Sequence, residues 1–454
     1  MATHAAASKA TQTYLEQYDA APEAEKFPLV RHWMDTQPLP FFKELREKRP
    51  VFVTRVCTLL TRFDDVTEAL NMPGIFTVAP YGPKMGNGAF LMAHDDDALH
   101  TREKSLMQGI LNRDDLPQVR TMVAKIAAAI LQSANGRIEA INDYCRMVPA
   151  TLVQDYFGLR GIDRRKLIQW SFWNQFDFFY NYPFDLIPAE KSKEITDRHN
   201  QASEELAKYI KELIAGRWLL VKAEKGKNVL FAAWYLFQRL LRRLSGRNND
   251  KRLTDDIVTR LLRTSYPDAV DFDIERLGIN VGGLLIGAIE TTCQAAAQVI
   301  EYLLESPEWL AKAQTLAAQS DCVAFDGIVW EALRFVPITP YLIRQTSIDY
   351  TIGKGTDHET LIPAKTTILP VTQSAMFDPR AFENPDKFIP GRNWYHYFHF
   401  GFGIHECLGK YVGMVMIPEM VRQILLKPGL QAHGGIDYAG GHLPQRYELS
   451  WSRS

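Results

Sequence analysis

A glycine-rich loop near the carboxyl end of the chain carries a single cysteine. It reads Phe400-Gly-Phe-Gly-Ile-His-Glu-Cys-Leu-Gly409 and leads into an apolar helical pattern. Its glycines, Gly401, Gly403 and Gly409, permit backbone angles and close approaches that side chains forbid, so the loop can press against a flat group. A cysteine at the start of a helix faces backbone N–H groups, which favour the thiolate that a soft metal ion such as iron requires. Cys407 is therefore the leading candidate for a metal ligand.

A second pattern places an acid and two hydroxyl groups inside an apolar helical segment. The segment contains Gly287-Ala-Ile-Glu-Thr-Thr292. An acid and a hydroxyl are costly to bury on an apolar helix without a use. Thr291 can donate to the backbone carbonyl four residues earlier, which would widen the helix and admit dioxygen or water. Glu290 could then relay protons; the alternative is an exposed turn with ordinary polar residues.

The cysteine loop resembles the haem-binding loop of the cytochrome P450 family at every defining position. The resemblance implies that Cys407 is the proximal ligand of a haem b, with electron release from sulphur assisting O–O cleavage. It implies that the loop surrounds the haem with Phe400, Gly401, Gly403, His405 and Gly409. His405 would turn a donor toward a haem propionate.

The same resemblance gives the polar residues of the apolar helix a role. Glu290 and Thr291 correspond to the acid–alcohol pair that supplies protons while dioxygen is activated. Thr292 is a weaker candidate for this role.

Three charged residues form a further pattern. Glu331 and Arg334 lie three apart on a predicted helix and can pair, although such a spacing also arises by chance. The family has a Glu-x-x-Arg pair and, later, a Phe-x-Pro-x-Arg whose arginine completes a triad. Phe388-Ile-Pro-Gly-Arg392 supplies the later part here. Glu331, Arg334 and Arg392 are thus expected to lock the core near the haem.

Two arginine positions of the family concern the haem propionates. Arg344 falls where the family has an arginine on a strand that reaches a propionate. His100 resembles the start of the family's His-x-x-x-Arg, but the fourth position is Lys104. A lysine can neutralise a propionate, yet it lacks the fork of arginine. The nearby Arg102 is expected to face outward instead.

The elements that would position these residues are mainly helical. Helical spacing dominates from about residue 115 to 335, and residues 272–304, capped by Asp271 or Asp273, form a long, buried central helix. The helix with Glu331 ends near Pro337, and a final helix reaches about Leu426. Short β-like runs lie at 51–56, 58–62, 350–352 and 366–371. No regular strand–helix alternation suggests a doubly wound sheet.

The expected fold class is therefore mainly α with small β-sheets. The resemblance implies, more specifically, the cytochrome P450 fold with its long central helix over the haem. Residues 1–454 are expected to form a single domain, because no linker or repeat divides them. It would comprise a β-containing N-terminal portion, a helical core and the C-terminal haem-binding loop.

The composition bounds the partners and the compartment. A net charge of -1 gives no reason to expect a nucleic-acid partner. The five cysteines, with no Cys-x-x-Cys, favour a reducing, cytoplasmic setting. The sequence shows no signal peptide and no transmembrane segment. The aromatic and basic stretch 229–243 leaves peripheral membrane contact open as an alternative to an ordinary packed helix.

The expected function is that of a monooxygenase which inserts one oxygen atom of O₂ into an apolar organic substrate. Four aromatic and aliphatic stretches, 76–92, 170–188, 284–291 and 336–343, would wall the pocket. No flavin or nicotinamide fingerprint and no cysteine cluster for an iron–sulphur centre is found. Electrons would come from NAD(P)H through a ferredoxin or flavodoxin with its reductase, which would dock near Lys410 and Lys104.

Two alternatives remain. One is a haem-thiolate enzyme that uses or rearranges peroxide without a redox partner, and the pair Glu290-Thr291 disfavours it. The other is a non-catalytic haem-binding module or gas sensor, for which the chain carries no signalling segment.

Overall fold

A computed structural model of the protein describes residues 12–86, 89–224, 254–264, 266 and 270–453. The stretch 229–243 lies outside the described residues. The chain divides into two compact units: unit 1 comprises Met1–Thr77, Tyr182–Leu186 and Thr339–Lys387, and unit 2 comprises Val78–Asn181, Ile187–Ile338 and Phe388–Ser454. A single domain over the whole chain remains a prediction.

The described helices and strands follow in chain order. The α-helices are α1 (Tyr14–Ala20), α2 (Glu23–Thr36), α3 (Pro38–Lys48), α4 (Phe63–Asn71), α5 (Ala98–Ile110), α6 (Leu116–Ser133), α7 (Met147–Leu152), α8 (Arg164–Tyr180), α9 (Ala189–Glu224), α10 (Ile257–Arg263), α11 (Ile274–Ala288), α12 (Glu290–Leu304), α13 (Pro307–Ala317), α14 (Val323–Phe335), α15 (Thr372–Ala375) and α16 (Lys410–Leu425). The strands are β1 (Val51–Val53), β2 (Thr58–Leu60), β3 (Phe76–Thr77), β4 (Arg137–Glu139), β5 (Arg344–Thr346), β6 (Tyr350–Ile352), β7 (Thr360–Ile362), β8 (Thr367–Pro370), β9 (Gln431–Ala432) and β10 (Glu448–Ser450).

Unit 1 contains a five-stranded sheet in the order β1-β2-β8-β5-β3. Strand β2 runs parallel to β8 with Leu59 opposite Leu369, and both side chains are fully buried. The remaining neighbours are antiparallel, and β6 and β7 form a separate hairpin. The four expected strand regions are confirmed: the run 350–352 matches β6 as predicted, and the other three strands are shorter than predicted by one to three residues at an end. Arg344 stands at the first position of β5.

Unit 2 holds the large helical core and a small sheet, β4-β10-β9. Helix α6 shows how the sequence specifies this core: Val119, Val123, Ala127 and Leu131 recur every four residues and are buried. Helix α16, which follows the cysteine loop, packs against α6 and α12. The cysteine loop is therefore connected directly to the central part of the core.

The expected long helix over residues 272–304 consists of two helices, α11 and α12, separated by Ile289. The cap is Asp273, whose side chain accepts from the N–H of Arg276. By length and composition, Ile274–Leu304 is also apolar enough to cross a membrane, but 67% of its most apolar window is buried inside the protein. Core helices of soluble proteins pass the same test, so this evidence for a membrane span is weak.

Candidate active site

The loop that carries Cys407 closes on itself through its backbone. The N–H of Cys407 donates to the carbonyl oxygen of Phe400 at 2.8 Å, and a short 3-10 turn, Gly403–His405, lies between them. Gly401 and Gly403 have φ angles of +74° and +66°, in the left-handed region that glycine adopts without strain. These two glycines therefore set the path of the backbone that leads to Cys407.

The ring of Phe400 anchors the loop against two helices. Its centroid lies 5.8 Å from that of Trp330 in α14, and the ring covers the backbone of Gly413 in α16. A Cβ atom added at Gly413 would stand 2.7 Å from Phe400 Cε1, so only glycine leaves room for the ring. Gly413 was not predicted from the sequence, where its only signal is a glycine inside the helix that follows the cysteine.

Cys407 is the one cysteine of the five whose side chain is exposed. Its surface is open, yet protein atoms crowd around the thiol, and this desolvation raises its pKa above the ordinary value. The N–H of Gly409 and the ammonium of Lys104 lower the pKa only in part. In the protein alone burial outweighs these donors, so the pKa of Cys407 stays above its ordinary value. A metal ion would supply the difference, since a coordinated thiol is deprotonated.

Two histidines lie side by side next to the cysteine loop. His100 of α5 and His405 of the loop have ring centroids 5.0 Å apart, and His405 Nε2 is 3.6 Å from Asp95 Oδ1. His100 is 3% exposed, and its Nε2 has no hydrogen-bond partner among the described residues. Burial, with help from His405 and Lys104, lowers the pKa of His100 to about 4. A buried, neutral ring with an unused nitrogen fits the expected haem, because it can donate to a propionate.

Lys104, the departure from the family pattern, contacts the cysteine loop directly. Its ammonium group donates to the carbonyl oxygens of Ile404 and, at 2.7 Å, of Glu406. Burial lowers the pKa of Lys104, while Cys407 and Glu406 raise it in part. A contact of Lys104 with a propionate remains a prediction. Arg102, the nearby arginine, lies 3.8 Å from the Asp271 carboxylate.

Arg344 belongs to unit 1, whereas the cysteine loop belongs to unit 2. The side chain of Arg344 is buried, and its Nη1 donates to the carbonyl oxygen of Ile343 at 2.8 Å. Its expected contact with a propionate therefore remains a prediction.

The break between α11 and α12 has a side-chain cause. The hydroxyl of Ser171, in α8, donates to the carbonyl oxygen of Ile286 at 2.9 Å and accepts from the N–H of Glu290 at 3.4 Å. An uninterrupted helix would join these two backbone groups directly. Gln175, one turn after Ser171, also donates to Ile286 O, at 2.8 Å. The inserted hydroxyl and amide thus replace one rung of the helix.

Thr291 lies directly after this break and makes the contact expected from the sequence. Its hydroxyl donates to the carbonyl oxygen of Gly287 at 2.7 Å, and the side chain is half-buried, whereas Thr292 is buried. The Thr291 side chain thus satisfies a backbone carbonyl next to the break. The hydroxyl is placed where it can exchange hydrogen bonds with small molecules at the helix surface.

Glu290 is fully buried and forms an ion pair with Arg146. The Nε and Nη2 atoms of Arg146 lie 2.8 and 3.0 Å from the two carboxylate oxygens of Glu290. Burial raises the pKa of Glu290, and Arg146 lowers it only in part, so the pKa lies above its ordinary value. Arg146 also donates to the carbonyl of Pro444. The acid next to Thr291 is thus held by a partner that was not predicted from the sequence.

Glu331, Arg334 and Arg392 are brought together in unit 2. Arg334 Nη2 lies 2.7 Å from Glu331 Oε1, and Arg392 Nε lies 3.1 Å from the same oxygen. Glu331 also accepts from the Tyr397 hydroxyl at 2.7 Å and from the N–H of Ile389 at 2.8 Å. Burial raises the pKa of Glu331, but Arg334, Ile389 and Tyr397 lower it more, so it lies below its ordinary value. The ionised carboxylate is fully satisfied, as a structural role requires.

Only part of the aromatic stretch 170–188 is free for a pocket. Phe172, Trp173 and Phe176 of α8 pack against a small apolar cluster with Ile195 and Leu443. These three side chains therefore contribute to a core cluster beside α8. The full set of four pocket walls spans both units and remains a prediction.

One residue of an expected wall, Phe90, packs against helix α11. A Cβ atom added at Gly283 of α11 would stand 2.2 Å from the Phe90 ring, so this glycine lets Phe90 lie against the helix. Phe90 belongs to the expected wall 76–92, and Gly283 directly precedes the expected wall 284–291; both residues lie in unit 2.

Comparison with known proteins identifies relatives along most of the chain. The model of the family described as Cytochrome P450 matches residues 59–431. Cytochrome P450 monooxygenase PikC of Streptomyces venezuelae is 26% identical over 341 residues, which is 74% of this chain and 68% of the relative. Pulcherriminic acid synthase of Bacillus subtilis is 24% identical and covers 88% and 90%. A steroid C26-monooxygenase of Mycobacterium tuberculosis is 23% identical and covers 85% and 84%.

Solved structures resemble this fold over nearly the whole chain. Cytochrome P450 CYP109Q5 from Chondromyces apiculatus matches with a TM-score of 0.70 at 19% identity and covers 93% of this chain and 97% of that one. P450BioI, solved with a ligated acyl carrier protein, matches with a TM-score of 0.70 at 18% identity and covers 93% and 100%. At these identities the likeness concerns the fold alone. It confirms the expected class, mainly α with small sheets.

Proposed function

The chain belongs to the cytochrome P450 family, and on that premise we propose that the thiolate of Cys407 binds the iron of a haem b. As a member of the family, the protein is a haem-thiolate monooxygenase that uses haem and dioxygen, an organic substrate and a redox partner. The observation that supports Cys407 is its exposed thiol on a loop whose glycines and Phe400 fix the backbone. The other four cysteines are buried or half-buried.

The residues around Cys407 would hold the haem at its polar edge and along its face. His100 Nε2, which has no hydrogen-bond partner among the described residues, would donate to a propionate, and we assign His405 to the same task. For Arg344, which lies in unit 1, the propionate contact is what the family resemblance implies. Phe400, Gly401, Gly403 and Gly409 shape the loop beside the ring. When bound, the haem activates dioxygen so that one oxygen atom enters the substrate.

We assign proton delivery to Thr291 and Glu290. The Thr291 hydroxyl has a single proton, which it donates to Gly287 O; to deliver it, the hydroxyl would turn away from that carbonyl and take up a second proton as it gives up the first. Glu290 has a pKa above its ordinary value, which suits an acid that resupplies a proton. The ion pair with Arg146 fixes the position of the Glu290 carboxylate. Glu331, Arg334 and Arg392 stabilise the loop region and do not touch the reacting atoms.

The substrate proposed is an apolar organic molecule. The ring of Phe90, which packs against α11, and the apolar side chains of that helix support this choice. The name of the steroid C26-monooxygenase, which denotes an apolar substrate, supports it further. A spin-state shift of the Soret band on addition of candidate ligands would identify which molecules bind.

The electrons are proposed to come from NAD(P)H through a separate ferredoxin or flavodoxin with its reductase, in a cytoplasmic setting. The test compares turnover of an identified ligand with peroxide alone and with such an electron-transfer pair plus NAD(P)H. We expect product with the pair and at most about a tenth as much with peroxide alone, because Thr291 and Glu290 serve dioxygen chemistry. Product formation that needs only peroxide would replace this proposal with the peroxide-using alternative.

A further inference from the structure

Lys104 makes two hydrogen bonds to the backbone immediately before Cys407. Its Nζ donates to the carbonyl oxygens of Ile404 and of Glu406, the latter at 2.7 Å. These carbonyls flank His405, and Glu406 is the residue next to the cysteine. Lys104 is only 8% exposed. Burying an ammonium group is costly unless its donors are used, so this is a built contact rather than a solvated side chain.

The helix that presents Lys104 is itself fixed from the other side. Glu103, the preceding residue, is fully buried. Its Oε2 accepts from Arg276 Nη2 and from Asn280 Nδ2, both at 2.7 Å. Arg276 and Asn280 belong to α11. The lysine therefore reaches the cysteine loop from a helix that is firmly attached to the central helix of unit 2.

We propose that Lys104 is a positioning residue that clamps the cysteine loop by its carbonyl oxygens and keeps a positive charge beside the sulphur of Cys407. This inference rests on the proposed role of Cys407. It assigns Lys104 a different task from the propionate contact expected of an arginine at this position. A lysine suits the task because the three N–H groups of its ammonium point in different directions and can each reach a separate acceptor. The planar fork of arginine is matched to a carboxylate instead.

Two consequences follow for the haem-loaded protein. The clamp resists the loop movement by which the thiolate would leave the iron. The charge draws electron density away from the sulphur, which favours the reduced iron, so its removal lowers the reduction potential. A role in merely filling space would change neither property.

The test uses haem-loaded protein and the variant Lys104→Met, which keeps the length of the side chain and removes its charge and donors. The reduced, carbon-monoxide-treated sample is placed in mild denaturant, and conversion of the thiolate-type Soret band to the histidine-type band is timed. We expect conversion about tenfold faster than in the wild type, the size expected for loss of a charged, buried hydrogen bond. The reduction potential should fall as well.

Lys410→Met is the matched control. Lys410 lies near the same loop, but its Nζ contacts the Glu406 carboxylate, at 2.5 Å. Within the described part of the chain its side chain bonds to no loop carbonyl, and its backbone N–H, which donates to Cys407 O, is unchanged by the substitution. We expect its conversion rate to stay within about twofold of wild type, because a pair of this kind contributes little. Lys104→Arg, which keeps the charge, should have the reduction potential of the wild type. Its conversion rate should lie between those of the wild type and of Lys104→Met.

Three results bear on the clamp. If Lys104→Met loses haem but converts no faster than Lys410→Met, Lys104 binds a propionate and the clamp is wrong. If Lys104→Met cannot be obtained with haem, Lys104→Gln takes its place in the test. A reduction potential and a conversion rate equal to those of the wild type in Lys104→Gln would also refute the clamp. A histidine-type band in the wild type would instead refute the role of Cys407 itself.

Discussion

At the scale of single residues, Thr291 offers the sharpest test of the proton-delivery assignment. Thr291→Ala removes the hydroxyl that donates to Gly287 O. We expect substrate oxidation to fall about tenfold or more while NAD(P)H consumption continues and peroxide is released, because general acid–base groups contribute on this scale or above. Peroxide and product are measured per NAD(P)H consumed. Thr291→Ser, which keeps the hydroxyl, is the control, and unchanged coupling in Thr291→Ala would remove Thr291 from proton delivery.

Residues that form short motifs could be predicted, and residues that complete them from afar could not. Cys407 and its glycines lie within ten positions of each other, so their spacing alone indicated a loop beside a flat group. Arg146, by contrast, pairs with Glu290 across 144 positions. An arginine on an ordinary amphipathic segment carries no mark of such a partner. The contact is specified only when the chain has folded.

At the scale of elements, Ser171 of α8 controls the break between α11 and α12. Ser171→Ala removes the hydroxyl between Ile286 O and Glu290 N and lets these groups bond directly. We expect the break to narrow and peroxide release per NAD(P)H to rise, with a loss of unfolding free energy below about 1.5 kcal/mol. Ser203→Ala, at the α8–α9 contact with Asn174, is the matched control. Equal coupling in both variants would show that Ser171 has no part in oxygen handling.

The same break shows why element boundaries were harder to predict than element types. Apolar periodicity over residues 272–304 correctly indicated buried helix, and the cap at Asp273 fits its start. The interruption at Ile289 depends on Ser171 and Gln175, more than a hundred positions earlier. Helix periodicity reports which face is buried and says nothing of a hydroxyl inserted from another helix.

At the scale of the whole molecule, the Glu331 network should decide how the fold responds to acid. The pKa of Glu331 in the folded protein lies below its ordinary value. The stabilising effect of the ionised carboxylate is therefore complete above the unfolded pKa, about 4.5. The effect is lost as the pH falls from there through the lower folded pKa. Glu331→Gln should cost about 3–5 kcal/mol at pH 7, because Arg334 stays buried without its anion. Urea unfolding of the haem-loaded wild type and of Glu331→Gln at pH 7 and pH 4 measures the free-energy cost of the substitution and its dependence on pH.

The controls for this network are available in the chain. Glu308→Gln, at an exposed pair with Lys312 in α13, removes a carboxylate without a buried partner and should cost well under 1 kcal/mol. In Glu331→Gln the destabilisation relative to wild type should shrink as the pH falls below the unfolded pKa of about 4.5, since the wild type then progressively loses the stability that its ionised carboxylate provides. A difference that is independent of pH would contradict an ionised Glu331.

The whole-molecule architecture was predictable in class because composition and periodicity are averaged over many residues. Mainly helical structure with small sheets is confirmed by the elements and by the solved structures that match. Yet the short segment Tyr182–Leu186 groups with unit 1, while both helices beside it belong to unit 2. No local pattern marks such an exchange, because it depends on long-range contacts alone.

The central claim is that Cys407 binds the haem iron as a thiolate, and the spectrum of the reduced, carbon-monoxide-treated protein tests it most directly. We predict a strongly red-shifted Soret band in the wild type and in Cys322→Ser, a variant of a half-buried cysteine outside the loop. Cys407→Ser should lose that band. A histidine-type band in the wild type, or a thiolate-type band that survives in Cys407→Ser, would contradict the claim.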